Sequence, residues 1–229
     1  MTLESEAVKV GALIPTYNRP DAVRHCVLQL LHQSRPPDLI CVHQNGSPDN
    51  YNWCIEDLSH PIIWIHTPVT IPQHEWYLQP ILRLLEEDCT HYFWTDHDDL
   101  YLANHVQESL SDLDRGYDFR ISNHCDVLIM KDNGYRYYPS VLFDIHKPGG
   151  MSSSMAFNRR FAIALTEDIA MHADIYYTDW IVANHTMPKF RCYCSSVRST
   201  VYVSHSNSVS SPHWLDIENP QFKKFSLNR

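Results

Sequence analysis

The pattern of apolar and polar positions alternates between extended and helical segments through the first half of the chain. Residues 8–14 (VKVGALI) form a short apolar run that predicts a buried strand, broken by Pro15. Over residues 20–32 the apolar side chains Val23, Val27, Leu30 and Leu31 fall near helical spacing, and Pro36-Pro37 stops that helix. A second strand is expected over residues 39–42 (LICV), leading into the turn signal Asn45-Gly46-Ser47. A short helix over 50–58 and a third strand over 62–65 (IIWI) follow. Residues 74–87 read as a helix through Leu78, Ile81, Leu82 and Leu85, and residues 91–95 (HYFWT) as a fourth strand. This alternation predicts a parallel sheet covered by helices on both faces.

The second half is less regular. Residues 126–138 carry Asn133-Gly134 between extended stretches, a hairpin signal. Gly149-Gly150 opens a Ser-rich turn before an expected helix over 157–170. A further helix is expected over 179–184, and strands over 189–193 and 200–204. There is no internal repeat and no convincing linker, so residues 1–229 are expected to form one domain.

Composition narrows the function classes. The chain has 229 residues, with 18 Lys and Arg against 27 Asp and Glu, for a net charge of −9. No basic surplus exists to displace counterions from phosphates, so a nucleic-acid partner is not expected. A hydrophobic fraction of 44% with 12% aromatics excludes extensive disorder. The charge-free stretches 58–74 and 199–215 are interrupted by Pro or rich in Ser and His, so no integral membrane segment is expected. Residues 1–6 are acidic and lack the basic start of a signal peptide. The 7 Cys show no framework spacing and read as reduced thiols in a cytoplasmic protein. The 15 His are unusual, yet no metal-ligand spacing of the H-E-x-x-H kind accompanies them.

Asp96-His97-Asp98-Asp99, directly after the fourth strand, is the most informative tetrapeptide. Three carboxylates this close repel one another, and a hard divalent cation offsets that repulsion with oxygen ligands. Ligands in open α/β sheets collect beyond the carboxyl ends of the strands, where this cluster lies. The competing reading is an acidic start to a helix over 100–110, which suits Asp99 better than Asp96 or Asp98.

Taken with Pro15-Thr16-Tyr17-Asn18-Arg19 after the first strand and Asn45-Gly46-Ser47-Pro48-Asp49 after the second, the cluster resembles family 2-like glycosyltransferases of the GT-A fold. The three motifs stand in the order of that family and span residues 15–99. The resemblance implies a Rossmann-like, mostly parallel central sheet flanked by helices, with a small antiparallel hairpin extension on the acceptor side. Residues 1–100 would be the nucleotide-sugar half and 101–229 the acceptor half. It implies a nucleotide-sugar donor, UDP-sugar first, bound by Pro15, Thr16, Tyr17, Arg19, Gln44 and Asn45, with Asp96 on the ribose. His97 is counted with these donor-side residues, although it occupies the family's variable position. Asp98 would hold Mn²⁺ or Mg²⁺ bridging the diphosphate, with Asp99 less clearly involved. Gln44 stands where the family usually has an acidic residue that reads the uracil imide.

For the acceptor side, the resemblance makes Asp179 in Tyr177-Thr178-Asp179-Trp180 the general base of an inverting transfer. Thr178 replaces the usual Glu, and Asp174 and Asp168 are fallbacks. The segment Gly149 to Ser154, followed by Phe157-Asn158-Arg159-Arg160, resembles the family's acceptor-side element and nominates Ser153 for a saccharide or glycolipid acceptor. Tyr176 and Trp180 flank Asp179 as stacking candidates. His205 resembles a late family histidine near the metal. A degenerate sugar-binding module of the same fold remains an alternative, because of Gln44 and Thr178. A metal-dependent hydrolase using His91, Asp96, His97 and Asp98 is the third.

Overall fold

The structure, a computed structural model, describes residues 7–122, 124–131, 134–142, 152–175 and 178–204. Strand β1 (Val10–Thr16) is buried along its whole length, as its apolar run demands, and leads into helix α1 (Pro20–Leu31), which has proline in its first turn. Strand β2 (Leu39–Asn45) is equally buried, and β3 (Ile62–Thr67) is half-buried. Helix α2 (Gln73–Glu86) returns the chain to β4 (His91–Trp94). All the pairings among these four strands are parallel.

Side chains alternate across this sheet with the period of a strand. Leu13, Cys41, Tyr92 and Trp94 pack with Tyr77, Ile81 and Leu84 of α2. Val10, Ala12, Ile14, Ile40, Val42 and Phe93 pack with Val23, Val27 and Leu30 of α1.

Beyond β4 come β5 (Leu100–Tyr101), α3 (His105–Asp114), β6 (Phe119–Ser122), and the hairpin of β7 (His124–Lys131) with β8 (Gly134–Leu142). Then follow β9 (Ala156–Asn158), α4 (Arg159–Met171), α5 (Thr178–Ile181), β10 (Cys192–Ser195) and β11 (Thr200–Ser204). The central sheet has the order β10-β6-β9-β4-β1-β2-β3, with β9 antiparallel to both neighbours. A second sheet has the order β5-β11-β7-β8. The expected mostly parallel sheet with an antiparallel extension is therefore present. The chain runs outward from β1 to β3 and then crosses to the other side of β1 for β4. The topological switch point consequently lies between the carboxyl ends of β1 and its neighbours.

Several expected elements differ. The helix expected over 50–58 is only a 3₁₀ turn, Asn52–Cys54. The helix expected over 100–110 starts at His105, because Leu100 and Tyr101 pair with Val201 and Thr200 of β11. The helix expected over 157–170 starts at Arg159, because Phe157 pairs with Tyr92 and Phe119, and Asn158 caps the helix by accepting from the Phe161 amide at 3.0 Å. The helix expected over 179–184 is α5 followed by a π-turn, Val182–Thr186. Among the described residues, no helix is long and apolar enough to cross a membrane.

His105 fastens α3 to the second sheet. Its ring is fully buried, with Nδ1 2.9 Å from the Ser199 hydroxyl, and it lies against Phe93 and Tyr101. Burial first, and the positive charge of Arg120 second, push its pKa down to about 3. The unfolded chain, with a histidine pKa of about 6.5, binds a proton that the folded chain refuses between those two values. Stability is thus retained above pH of about 6.5 and lost as pH falls toward 3, by up to about 1.4 kcal/mol per pH unit from this residue. Chemical denaturation at several pH values should show this slope, and His105→Gln should flatten it.

Candidate functional site

The end of β4 is pinned to β1, since the Thr95 amide and hydroxyl both donate to the Leu13 carbonyl, at 3.0 and 2.8 Å. Residues 96–99 therefore leave the sheet at the switch point. Asp96 is half-buried. Its Oδ1 accepts from the Tyr77 hydroxyl at 3.1 Å and its Oδ2 from the Ser152 hydroxyl. Its carbonyl accepts from the Tyr101 hydroxyl at 3.0 Å. Loss of surrounding water raises the Asp96 pKa to about 6. The charges of Asp98 and Asp179 push the same way, while the Ser152 and Tyr77 bonds oppose the shift.

Asp99 is almost fully buried, at 2% exposure. Its Oδ2 accepts from the Ser153 hydroxyl and its Oδ1 from the Val203 amide at 2.8 Å. Burial and the neighbouring aspartates hold its pKa well above the usual carboxylate range. Asp99 caps no helix, because α3 begins six residues later; its carboxylate joins the Ser152–Ser154 turn to the second sheet. Asp98 remains half-exposed.

The first two motifs meet beside this cluster. Pro15 and Thr16 are buried at the end of β1, with the Thr16 hydroxyl 3.1 Å from that of Tyr51. The Pro15 carbonyl accepts from His97 Nδ1 at 3.1 Å, so His97 turns back onto the first motif. Asn18 sits in the left-handed region at φ 47°, which Asn tolerates. Tyr17 is 54% exposed, and Arg19 precedes α1.

Gly46 has φ +75°, and a Cβ there would lie 3.0 Å from the Tyr17 ring and 2.9 Å from the Thr70 hydroxyl. The first motif's tyrosine is thus seated on the second motif's glycine. Asn45 accepts from the Ile71 amide at 3.1 Å, and its Nδ2 is buried without a partner among the described residues.

Two nominated side chains have other work. Gln44 is fully buried, its Nε2 donating to the Asp49 carbonyl at 2.6 Å and its Oε1 accepting from the Tyr51 amide at 3.2 Å. It braces the second loop from beneath, in place of the expected base-reading position. Ser153 is 1% exposed and bound to Asp99, so it stands behind the carboxylates and is covered from any acceptor. The Trp180 ring packs 5.3 Å from that of His185, which stacks on His172 at 3.8 Å.

Asp179 begins α5, with Oδ1 accepting from the Trp180 amide at 3.0 Å, and its charge reaches both Asp96 and Tyr77. The fallback Asp168 is buried and bound to Thr186 and Lys189, while Asp174 lies in an exposed turn. Tyr176 and His205 lie outside the described residues.

Tyr77 is a site residue that the sequence pattern does not single out. Its ring lies tilted against that of Trp94, 3.9 Å between centroids, while its hydroxyl donates to Asp96, and no local signal marks that second task.

No closed metal cage of three or more His, Cys, Asp or Glu exists among the described residues. The half-buried carboxylates of Asp96 and Asp98 offer the oxygen donors that a Mg²⁺- or Mn²⁺-type ion takes, such an ion being commonly held by one or two carboxylates and completed by substrate phosphates and water.

The model of the family "Glycosyl transferase family 2" matches residues 12–163. No curated protein sequence matches the chain. Among solved structures, S. aureus TarS 1-349 superimposes with a TM-score of 0.61 at 15% identity, covering 86% of this chain and 60% of that one. TarS 1-349 in complex with UDP gives 0.61 at 13% identity, covering 86% of this chain and 60% of that one. The complex with UDP-GlcNAc gives 0.60 at 14%, covering 88% and 60%. The architecture is the GT-A α/β fold, and the chain spans 60% of the length of these TarS structures.

The Tyr17–Gly46 contact can be probed directly. Thr70 and Tyr17 are exposed and able to yield, so the cost of Gly46→Ala comes from its left-handed backbone. Unfolding should show a loss of about 1–2 kcal/mol, with Tyr17 fluorescence or NMR shifts reporting a displaced ring.

Proposed function

The chain belongs to glycosyl transferase family 2, and on that premise we propose that it transfers a sugar from a nucleotide-diphosphate donor, a UDP-sugar first, to a saccharide or glycolipid acceptor. The observation that carries this reading is the convergence of three loops at the switch point. Tyr17 on Gly46 and His97 on Pro15 join the two β-strand loops to Asp96 and Asp98, and Asp179 adds its charge from the far side. UDP is favoured because TarS of the same fold is described with UDP and with UDP-GlcNAc.

Tyr17 offers an exposed ring for the nucleoside, with Arg19 following on the same loop. Asp96, oriented by Tyr77 and Ser152, is placed for a donor hydroxyl. Asp98 would hold Mn²⁺ or Mg²⁺ with the donor phosphates. When bound, that ion would stabilise the negative charge developing on the diphosphate.

Asp179 is the base. As the acceptor oxygen bonds to the anomeric carbon, the bond to the diphosphate oxygen breaks with its electron pair, and the acceptor proton passes to Asp179. Attack opposite the departing group inverts the anomeric centre. The amide of Trp180 fixes one carboxylate oxygen and thereby the direction of the other. A cytoplasmic setting fits the seven cysteines, all of them free thiols.

A thermal-shift screen of UDP-, GDP-, CDP- and dTDP-sugars with and without Mn²⁺ tests the donor and metal assignments. UDP-sugars with Mn²⁺ should stabilise the fold by about 2.7 kcal/mol at a hundredfold excess over Kd, and Asp98→Ala should abolish the metal-dependent part. Asp179→Asn should keep the shift and lower transfer by about a hundredfold or more. Binding that needs no metal and survives Asp98→Ala would overturn the metal assignment.

A further inference from the structure

We propose that Arg120 is a positioning residue of this site, acting through the Ser152–Ser154 turn to set the Asp96 and Asp99 carboxylates. The inference rests on the donor-binding reading of that cluster. Arg120 lies on β6, with no exposed surface. Its Nη1 donates to the Ser154 carbonyl at 3.0 Å and its Nε to Asp112 Oδ2 at 3.3 Å. Nη2 is buried without a partner among the described residues. An apolar side chain at this strand position would avoid both the desolvation of a charge and the unpaired donor. Arginine's planar fork does what an apolar group cannot, holding a carbonyl and a carboxylate at once.

The carbonyl it holds belongs to a turn that makes further hydrogen bonds to β4 and β6. The Met155 amide donates to the Ser152 carbonyl at 2.9 Å, and the Trp94 amide to the Met155 carbonyl at 3.1 Å. The Ser154 hydroxyl donates to the Ser122 carbonyl at 2.9 Å and accepts from the Ser122 amide at 3.3 Å. Ser152 and Ser153, on the same turn, donate to Asp96 and Asp99. Arg120 therefore governs, from beneath, where two hydroxyl donors meet two carboxylates. Hydroxyl-to-carboxylate bonds depend on both distance and angle, so a small rotation of the turn loosens both together.

The Val203 amide, which donates to Asp99 Oδ1, reports the carboxylate's position with no ligand present. The experiment combines three measurements: hydrogen exchange at Val203 against the core amide of Leu13, the affinity for UDP with Mn²⁺ by calorimetry, and thermal midpoints. Arg120→Met should speed exchange at Val203 tenfold or more relative to Leu13 and weaken UDP tenfold or more. Arg120→Lys, which still offers a donor to the Ser154 carbonyl, should recover part of both. Combining Arg120→Met with Ser153→Ala should weaken UDP no further than the worse single change.

UDP affinity within twofold of the original in folded Arg120→Met overturns the proposal. So does weakened binding with unchanged Val203 exchange, or a double-variant loss equal to the product of the two single losses. If Arg120→Met does not fold, Arg120→Lys and Ser154→Ala carry the same readouts. If the unaltered protein binds no UDP, the donor reading falls, and Val203 exchange alone decides whether Arg120 sets the carboxylates.

Discussion

One buried carboxylate, Asp99, and a half-buried one, Asp96, at the end of the same strand impose the demand that organises this molecule. A buried carboxylate costs several kcal/mol unless hydrogen-bond donors meet it. Asp99 is met by the Ser153 hydroxyl and the Val203 amide, Asp96 by Tyr77 and Ser152. Those donors come from helix α2, from the turn before β9, and from β11 of the second sheet. The site thus exists only where both sheets and α2 come together. The packing of residues 101–204 onto residues 7–100 and the orientation of the acidic cluster are one physical event.

The topology supplies the place. Because the strand order turns back at β1, the carboxyl ends of β1, β2 and β4 meet at the switch point. The loops that leave those ends lean on one another, through the His97 ring on the Pro15 carbonyl and the Tyr17 ring over Gly46. Gly46 and Asn18 both adopt left-handed backbone, conformations kept where the surrounding contacts compel them. The same reasoning separates accessible groups from supporting ones. Tyr17 faces outward, whereas Gln44 and Thr16 hold the loops from inside.

Much of the frame was legible in the residue pattern. β1 through β4, α1 and α2 follow from apolar runs and helical spacing punctuated by proline and Asn-Gly turns, all signals contained within a few neighbouring residues. The antiparallel pairing of β7 with β8 was legible for the same reason. Leu100 and Tyr101 were not: their partner strand lies about a hundred residues away, and local periodicity carries no trace of it. Phe157 likewise reads as helical until Tyr92 and Phe119 claim it. The family of the chain was also legible, because three short motifs occur in order, and order survives without knowledge of contacts.

The division of labour inside those motifs belonged to tertiary structure. By itself the sequence determined where the acidic cluster stands, since residue type and chain order place Asp96, Asp98 and Asp99 after the fourth strand. It could not separate a carboxylate that faces solvent from one that anchors the fold, or show that Gln44 and Ser153 point inward. It also could not show that Tyr77, Ser152 and Arg120 serve the acidic cluster. Those distinctions rest on burial and on hydrogen bonds between residues distant in the chain, and such bonds are chosen only when the elements pack.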